Sequence, residues 1–375
     1  MSFTNKTTRF RWASLQLQTL CSFRTDEAIL ERLGRLPKTL ENLYLELYEK
    51  LTTTSADADR EVTVNAFSWL LCAQRTLTSV EFLTALSTTP GRQFNLTKEH
   101  VLEMCSNMIV FDSTLNTFRF AHLSVREFLE KRPEYTIVAT NARAAEACLL
   151  DILGAANNPA TRRLLSTYRQ NLSNSNRSHE LNTYSTIYWA QHCQLAADQR
   201  TFGVLKDLLL YFFSNKSDST STVMAWIARI KAQFYDYSIE WRLRERLKDA
   251  EAKEDTADFI ISCFDLEEII RIRPNFGDHI TNSQRKTLLQ VAVKHGSCNV
   301  VSILIKNEGT VITEEVIKAA AANEESGKEV MMLLLEKRGA DVVITEEVIK
   351  AAAGNWRNGH TNIANILRGH VKSKR

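Results

Sequence analysis

Eleven consecutive residues occur twice in this chain without a single change. Val311-Ile312-Thr313-Glu314-Glu315-Val316-Ile317-Lys318-Ala319-Ala320-Ala321 returns as Val343 to Ala353, an offset of 343 − 311 = 32 residues. Self-similarity at a period of roughly 20 to 50 residues implies stacked units, because one small unit cannot bury its own apolar face. In each copy a threonine, Thr313 or Thr345, stands where a helix N-cap is expected. Two glutamates follow, where the helix dipole favours negative charge. The alanine run lets neighbouring helices approach closely. After the first copy, Gly327 opens a turn into Lys328 to Arg338, and Gly339 is expected to end that second helix. One unit earlier, Leu288-Leu289, Ala292, Gly296, Val300-Val301 and Leu304-Ile305 hold the same phase. Three repeats are expected over 282–369, ahead of a basic tail, Lys372-Ser373-Lys374-Arg375.

The rest of the chain reads as helical too. Only 5 prolines and 12 glycines fall among 375 residues, which favours long helices over an all-β fold. In the arm, Phe10, Trp12, Leu15, Leu17, Leu20 and Cys21 recur at near-helical spacing. Asp26 begins a helix with Ile29, Leu30 and Leu33, and after Pro37 come Leu40, Leu43, Tyr44, Leu47 and Leu51. Ser55 to Asp59 reads as a polar hinge. Helices follow over Val62 to Cys72, from a Thr78 cap, and from a Thr97 cap. Met108 to Asp112 and Thr117 to Ala121 then flank a short turn and predict a β-hairpin. Directly after it, His122 precedes Ser124, which is expected to cap a helix bearing Val125, Phe128 and Leu129. Three helices followed by a hairpin is the order of a winged helix.

Several functions are disfavoured by the residues themselves. A DNA-reading winged helix needs clustered cations against phosphate. The third helix here, Lys98 to Met104, carries two glutamates and one lysine, and the wing tip from Asp112 to Thr117 has neither Arg nor Lys. The net charge of +3 is a weak bias. Seven scattered cysteines without a Cys-x-x-Cys point to reduced thiols rather than disulfides or zinc. His192-Cys193 offers too few ligands for zinc, and Tyr188-Trp189 beside it reads as core. The Arg242 to Asp258 run alternates in sign and reads as a solvated helix face. Gly354-Asn355-Trp356-Arg357-Asn358-Gly359-His360-Thr361 has the outline of a phosphate-binding loop. It lacks the lysine and follows a helix instead of a strand, so an inter-helix turn explains its glycines. No Gly-x-Ser-x-Gly or His-Glu-x-x-His occurs. The first ten residues lack the apolar stretch of a secretory leader, and no apolar run approaches the ~18 residues of a membrane span.

The stretch Phe118-Arg119-Phe120-Ala121-His122-Leu123-Ser124-Val125-Arg126-Glu127-Phe128-Leu129 resembles the end of the winged-helix domain in NACHT-type signalling proteins. Phe10 to Leu17, Leu36 to Leu40 and Tyr188 to His192 resemble segments of filamentous-fungal NACHT (NLR-like, STAND) proteins with ankyrin repeats. The 282–369 repeats resemble ankyrin repeats, with Leu288 and Gln290 in place of the usual Pro and His. The resemblance implies a mainly α chain without the ATPase core. Its parts are a helical arm (1–59), a winged helix of three helices and a β-hairpin (60–135), a helical linker (136–281) and an ankyrin-like solenoid (282–375). It implies a non-catalytic, cytoplasmic interaction and regulatory module of the innate-immunity or heterokaryon-incompatibility type. The alternative is a winged-helix DNA-binding regulator. In that family the histidine at the place of His122 touches a phosphate held by an upstream P-loop. Without that loop His122 is expected to bind no nucleotide. No cofactor, metal, nucleic acid or membrane partner is expected. Trp356 and Arg357 differ from their counterparts in the other copy and are the residue types of binding hot spots. They are expected to contact a protein partner of the repeats. The apolar arm around Trp12 and Leu15 to Leu20 is expected to be exposed and to support self-association.

Overall fold

The computed structural model describes residues 12–17, 20–21, 23–33, 35–88, 94–154, 179–214, 222–233, 241–251, 256–272, 282–307, 309–324, 326–354 and 361–373. Among these, helices dominate, and the one sheet is a two-stranded antiparallel hairpin. The chain divides into two compact units, residues 1–189 and 190–375.

In the first unit, α1 (Asp26–Leu33) and α2 (Leu40–Glu49) form the arm, and α2 runs on as a π-turn to Thr54. The winged helix comprises α3 (Asp57–Cys72), α4 (Ser79–Ser87), α5 (Lys98–Met104), β1 (Ile109–Asp112) and β2 (Thr117–Phe120). It is followed by α6 (Leu123–Glu130) and α7 (Ile137–Gly154). The expected hinge is partly helical, because Asp57 and Asp59 supply the first-turn acids of α3. Local chemistry sets the other starts. Thr78 and Glu81 form a reciprocal capping box at α4, and Arg75 grips the same carboxylate at 2.6 and 2.9 Å. Thr97 and His100 form the corresponding box at α5.

The hairpin pairs Ile109 with Phe120 and Asp112 with Thr117. Its turn is held by Asp112 Oδ1, which accepts the Thr114 and Leu115 amides at 3.1 Å. Asn116 takes the left-handed conformation, φ 53°, and stitches the wing to α4. Its carbonyl accepts the Ser79 amide at 2.8 Å and its side chain accepts the Ser79 hydroxyl at 2.7 Å. Phe118 stacks on Phe82 at 4.9 Å. The alternating strand therefore sends its apolar side into the three-helix core. Helix α7 packs along α3.

In the second unit, the early elements are α9 (Gly203–Ser214) and α10 (Thr222–Gln233); α8 (Asn182–Leu195) spans the division between units. Next come α11 (Trp241–Glu251), α12 (Thr256–Cys263) and α13 (Glu267–Ile272). Then follow three helix pairs, α14 (Asn282–Lys294) with α15 (Cys298–Ile305), α16 (Glu314–Ala322) with α17 (Gly327–Arg338), and α18 (Glu346–Gly354) with α19 (Thr361–Ser373). Inner helices α14, α16 and α18 stack in order, and outer helices α15, α17 and α19 do likewise. The stack begins earlier than the sequence phase indicated. Helix α12 packs on α14 and α13 on α15, which places one further pair ahead of the three. Asp265, between α12 and α13, marks the join. Its carboxylate accepts the Val300 amide and the Asn299 side-chain amide, both at 3.0 Å, and so closes the start of α15.

Within a pair the chains come very close. A Cβ built on Gly327 would lie 2.6 Å from the Ala320 carbonyl oxygen, so only glycine fits there. Gly339 does not end α17 in a left-handed cap as expected. Its φ is −57°, and the chain continues into a 3₁₀ turn to Asp341. Arg338 performs the closing role for the preceding outer helix. It donates to the Ile305, Asn307 and Thr310 carbonyls at 3.1–3.3 Å.

Candidate functional site

His122 sits between β2 and α6, and it, not Ser124, is the N-cap of α6. Its Nδ1 accepts the Ser124 amide at 3.2 Å and lies 2.7 Å from the Ser124 hydroxyl, which is 2.8 Å from the Tyr44 hydroxyl of α2. An amide can only donate, so Nδ1 is an acceptor. The consistent chain therefore runs from the Tyr44 phenol to Ser124 Oγ to Nδ1. The ring hydrogen then stands on Nε2. This arrangement fixes the histidine from the arm and leaves Nε2 as a donor.

A serine 2.7 Å from an imidazole is also what a nucleophile requires. Here the same nitrogen is occupied by a backbone amide, the serine belongs to the first turn of the helix it helps to cap, and Tyr44 holds its oxygen. The geometry is that of a cap. Beside it, Tyr44 and Tyr48 face Phe128 at 5.6 and 6.1 Å. Tyr48 donates to Glu134 at 2.7 Å, and Arg132 reaches the same carboxylate oxygen at 2.9 Å while its guanidinium lies 4.2 Å over the Tyr48 ring. Burial pushes the Tyr48 phenol up to about 12. Burial also raises Glu134, but its Tyr48 and Arg132 hydrogen bonds outweigh that and hold the carboxyl below its usual range. These contacts fasten the arm to the winged helix.

The third helix and the wing hold few disposable cations. Lys98 lies 4.2 Å from the Phe111 ring and 3.3 Å from Asn116 Oδ1, and Arg119 is 3.6 Å from Asp112. A polar cavity of about 520 Å³ in this unit is lined by Arg60, Glu61, Trp69, Arg143 and Glu146 among others, and His122 does not line it. The arm meets the expectation only in part. Leu15 is buried, and Trp12 is half-buried with its indole N–H on the Pro37 carbonyl at 2.9 Å. Leu17 is exposed as expected, Phe23, Leu30, Leu33 and Leu45 of the arm are exposed besides, and α1 buries none of its residues.

The second unit holds a groove of about 440 Å³ between α11 and the turns of the first two repeat pairs. Trp241, 62% exposed, forms one wall. Arg246 donates to Gln194 and to the His295 carbonyl at 3.0 and 3.2 Å. Asp249 takes the Lys294 ammonium at 2.6 Å and lies 2.7 Å from His295 Nε2. Burial would raise the Asp249 carboxyl, yet its His295 and Lys294 hydrogen bonds hold it below the ordinary range. Asn323 closes the end of α14 by donating to the Lys294 and Val293 carbonyls at 2.9 and 3.3 Å. The alternating charges of α11 are thus not merely a solvated face, because Arg246 and Asp249 turn inward to bind the repeats. Trp241 was not anticipated as a site residue. Its signal was a large aromatic opening a helix otherwise rich in charge.

Trp356 and Arg357 lie outside the described residues, as does most of the loop with the outline of a phosphate-binding motif. Gly354 ends α18 and Thr361 begins α19. The Tyr184, Tyr188 and Trp189 stripe is buried as core, and His192 and Cys193 are buried with it. All seven cysteines are free thiols, and no group of potential metal ligands occurs among the described residues.

The fold of residues 57–120 and the caps that order it define a winged helix. Residues 50–146 match the family model described as the GPI inositol-deacylase winged helix domain. Residues 306–331 and 333–361 match a model described as a domain of unknown function, DUF7104, and each matched stretch contains one copy of the eleven-residue repeat. No curated protein matches the chain, and no solved structure does. No described helix is long and apolar enough to cross a membrane.

Proposed function

We propose that this chain is a non-catalytic, cytoplasmic interaction and regulatory module of the fungal NLR-like kind. In this reading the winged helix and its arm form the regulatory part, and an ankyrin-like stack of helix pairs forms the sensor. The observation that carries it is the Trp241 groove. An exposed indole stands beside backbone and side chains already fixed by Arg246, Asp249 and Asn323, so a partner meets a preorganised surface. Trp356 and Arg357, residue types of binding hot spots, belong to the same partner-binding reading, and the exposed leucines of the arm support self-association. Against the DNA-binding alternative stand the acidic third helix and the engagement of Lys98 and Arg119 by neighbouring groups.

The test is capture of cellular proteins on the immobilised chain, with Trp241→Ala and Trp356→Ala as controls. A specific protein retained by the native chain and lost on Trp241→Ala, with unchanged thermal stability, supports the reading. Retention unaffected by either substitution sinks it. Binding of duplex DNA that weakens steeply with salt would favour the alternative.

A further inference from the structure

The cavity of about 520 Å³ in the first unit lies among α3, α4 and α7. On α3, Asp57, Arg60, Glu61, Val64, Asn65 and Trp69 line it at i, i+3, i+4, i+7, i+8 and i+12, which is one side of the helix. Arg143, Glu146 and Ala147 line it from α7, which packs along α3. Ala85 and Thr88, at the C-terminal end of α4, close a third side. A helix side turned toward two other helices is ordinarily apolar. The described lining instead holds three carboxylates, two guanidiniums and a carboxamide.

Asn65 is only 9% exposed, yet its side-chain amide has no hydrogen-bond partner among the described residues. A buried amide is costly unless something pairs with it, and this one opens on the cavity. The groups around it are held by the protein. Ser68 donates to the Val64 carbonyl at 2.8 Å and accepts from Arg143 Nη1 at 3.2 Å, and the same Nη1 donates to the Glu134 carbonyl at 2.9 Å. The guanidinium is thereby fixed, while its Nε and Nη2 make no hydrogen bond among the described residues. Thr88 gives its one hydroxyl hydrogen to the Thr84 carbonyl at 2.7 Å, so its oxygen offers lone pairs. Trp69, nearly buried and edge-on to Tyr184 at 5.6 Å, is a fixed apolar wall. Arg60 and Asp57, both exposed, pair with each other at 2.7 Å. The remaining charges of the described lining are Glu61 and Glu146 against Arg143, an excess of one carboxylate.

We infer that this cavity binds a basic α-amino acid, arginine or lysine. The ligand carboxylate pairs with Arg143 and the Asn65 amide N–H groups. The α-ammonium sits at Thr88 and the C-terminal end of α4, where the helix dipole favours a cation. The aliphatic stem lies along Trp69, and the side-chain cation faces Glu61 and Glu146. One net positive charge on the ligand matches the excess carboxylate of the lining. The volume is that of a small-molecule site. The inference goes beyond the interaction-module reading and does not depend on it, because the Trp241 groove belongs to the other unit.

The test is titration calorimetry of the full chain with L-arginine and L-lysine, up to roughly 10 mM. At least one should bind with a sub-millimolar Kd. Agmatine, which keeps the guanidinium of arginine but lacks its carboxylate, should bind roughly tenfold more weakly or worse, and L-glutamate should not bind. Asn65→Leu should weaken the amino acid by roughly tenfold or more. Because the amide has no partner to lose, the same substitution should leave the unfolding midpoint of the ligand-free chain unchanged or raised. Glu146→Gln is the second variant, with a similar loss of affinity expected, should the leucine not be accommodated. Absence of binding by both amino acids overturns the inference. So does agmatine binding as tightly as arginine, glutamate binding as tightly as either, or an affinity that neither substitution weakens.

Discussion

Truncating the same isoleucine in the two copies is the sharpest check on the helix stack. Ile317→Ala and Ile349→Ala remove the same three carbons from identical eleven-residue surroundings in sequence. Ile317 is enclosed by the next repeat, whereas Ile349 is covered on one side only. At about 0.8 kcal/mol per carbon the transfer loss at Ile317 is roughly 2.4 kcal/mol. The cavity left between two packed helices adds to it, for a total of about 3 to 4 kcal/mol. At Ile349 part of the side chain already meets water and no closed cavity forms, so the loss should be about 1 kcal/mol. The expected difference, about 2 kcal/mol, lies well outside the error of comparing urea midpoints at constant slope. Amide exchange followed over α16 and α18 separately removes the ambiguity of an array that does not unfold as one unit. Equal penalties within about 0.5 kcal/mol, or a larger one at Ile349, would refute the stacking order on which the argument rests.

Other outcomes follow from the packing. His122→Ala should cost about 1 kcal/mol by loss of the α6 cap, and the chain should show no micromolar affinity for ATP or ADP by calorimetry; tight binding abolished by His122→Ala would contradict this. Arg200 is 2% exposed, pairs with Glu268 and donates to the Cys193 carbonyl at 2.8 Å, so Glu268→Ala strands a buried charge at a cost of about 3 to 5 kcal/mol. Adding Arg200→Met should recover most of that in chemical denaturation, and no recovery would show that the pair is not the cause. Burial lowers His192 to about 3 from 6.5, so the unfolded chain takes up this proton first. The stability it contributes is complete above about pH 6.5 and is lost at about 1.4 kcal/mol per pH unit down to about pH 3, which His192→Asn should flatten in a pH series of melting curves.

Much of the fold was legible because local chemistry and periodicity agreed. Thr78 with Glu81, Thr97 with His100, and the alternating Phe118 to Phe120 each fix an element within a few residues. The repeats were visible because identity at a fixed offset needs no assumption about packing. What stayed hidden was long-range. Asp265 caps a helix 35 residues away, Arg338 one 33 residues away, and neither side chain differs in type from a solvated one. Their partners are backbone groups, which leave no mark in the sequence. The extra pair α12 and α13 was missed for a related reason, since it fills the same place in the stack without repeating its residues. At the candidate site, the histidine was visible by resemblance. Its tautomer depends on Tyr44, 80 residues before Ser124, and on an amide geometry that the sequence does not reveal.

The exact duplication has a consequence for how the chain reaches this structure. A growing or refolding repeat unit holds two segments that present the same eleven side chains to the α14 surface. Docking α18 where α16 belongs would satisfy those eleven equally well and would loop out 32 residues. Discrimination must come from what was not copied. Asn323 reaches back to the Val293 and Lys294 carbonyls, and Gly327 seats α17 against Ala320. In the later copy the connecting segment differs, with Gly354 in place of Ala322 and Trp356-Arg357 in place of Glu324-Glu325. The helices therefore supply adhesion, and the divergent turns supply register. Making the two turns identical would remove the cue that tells one helix from the other, and slow, misregistered refolding should follow even though the native contacts of α16 and α18 are unchanged.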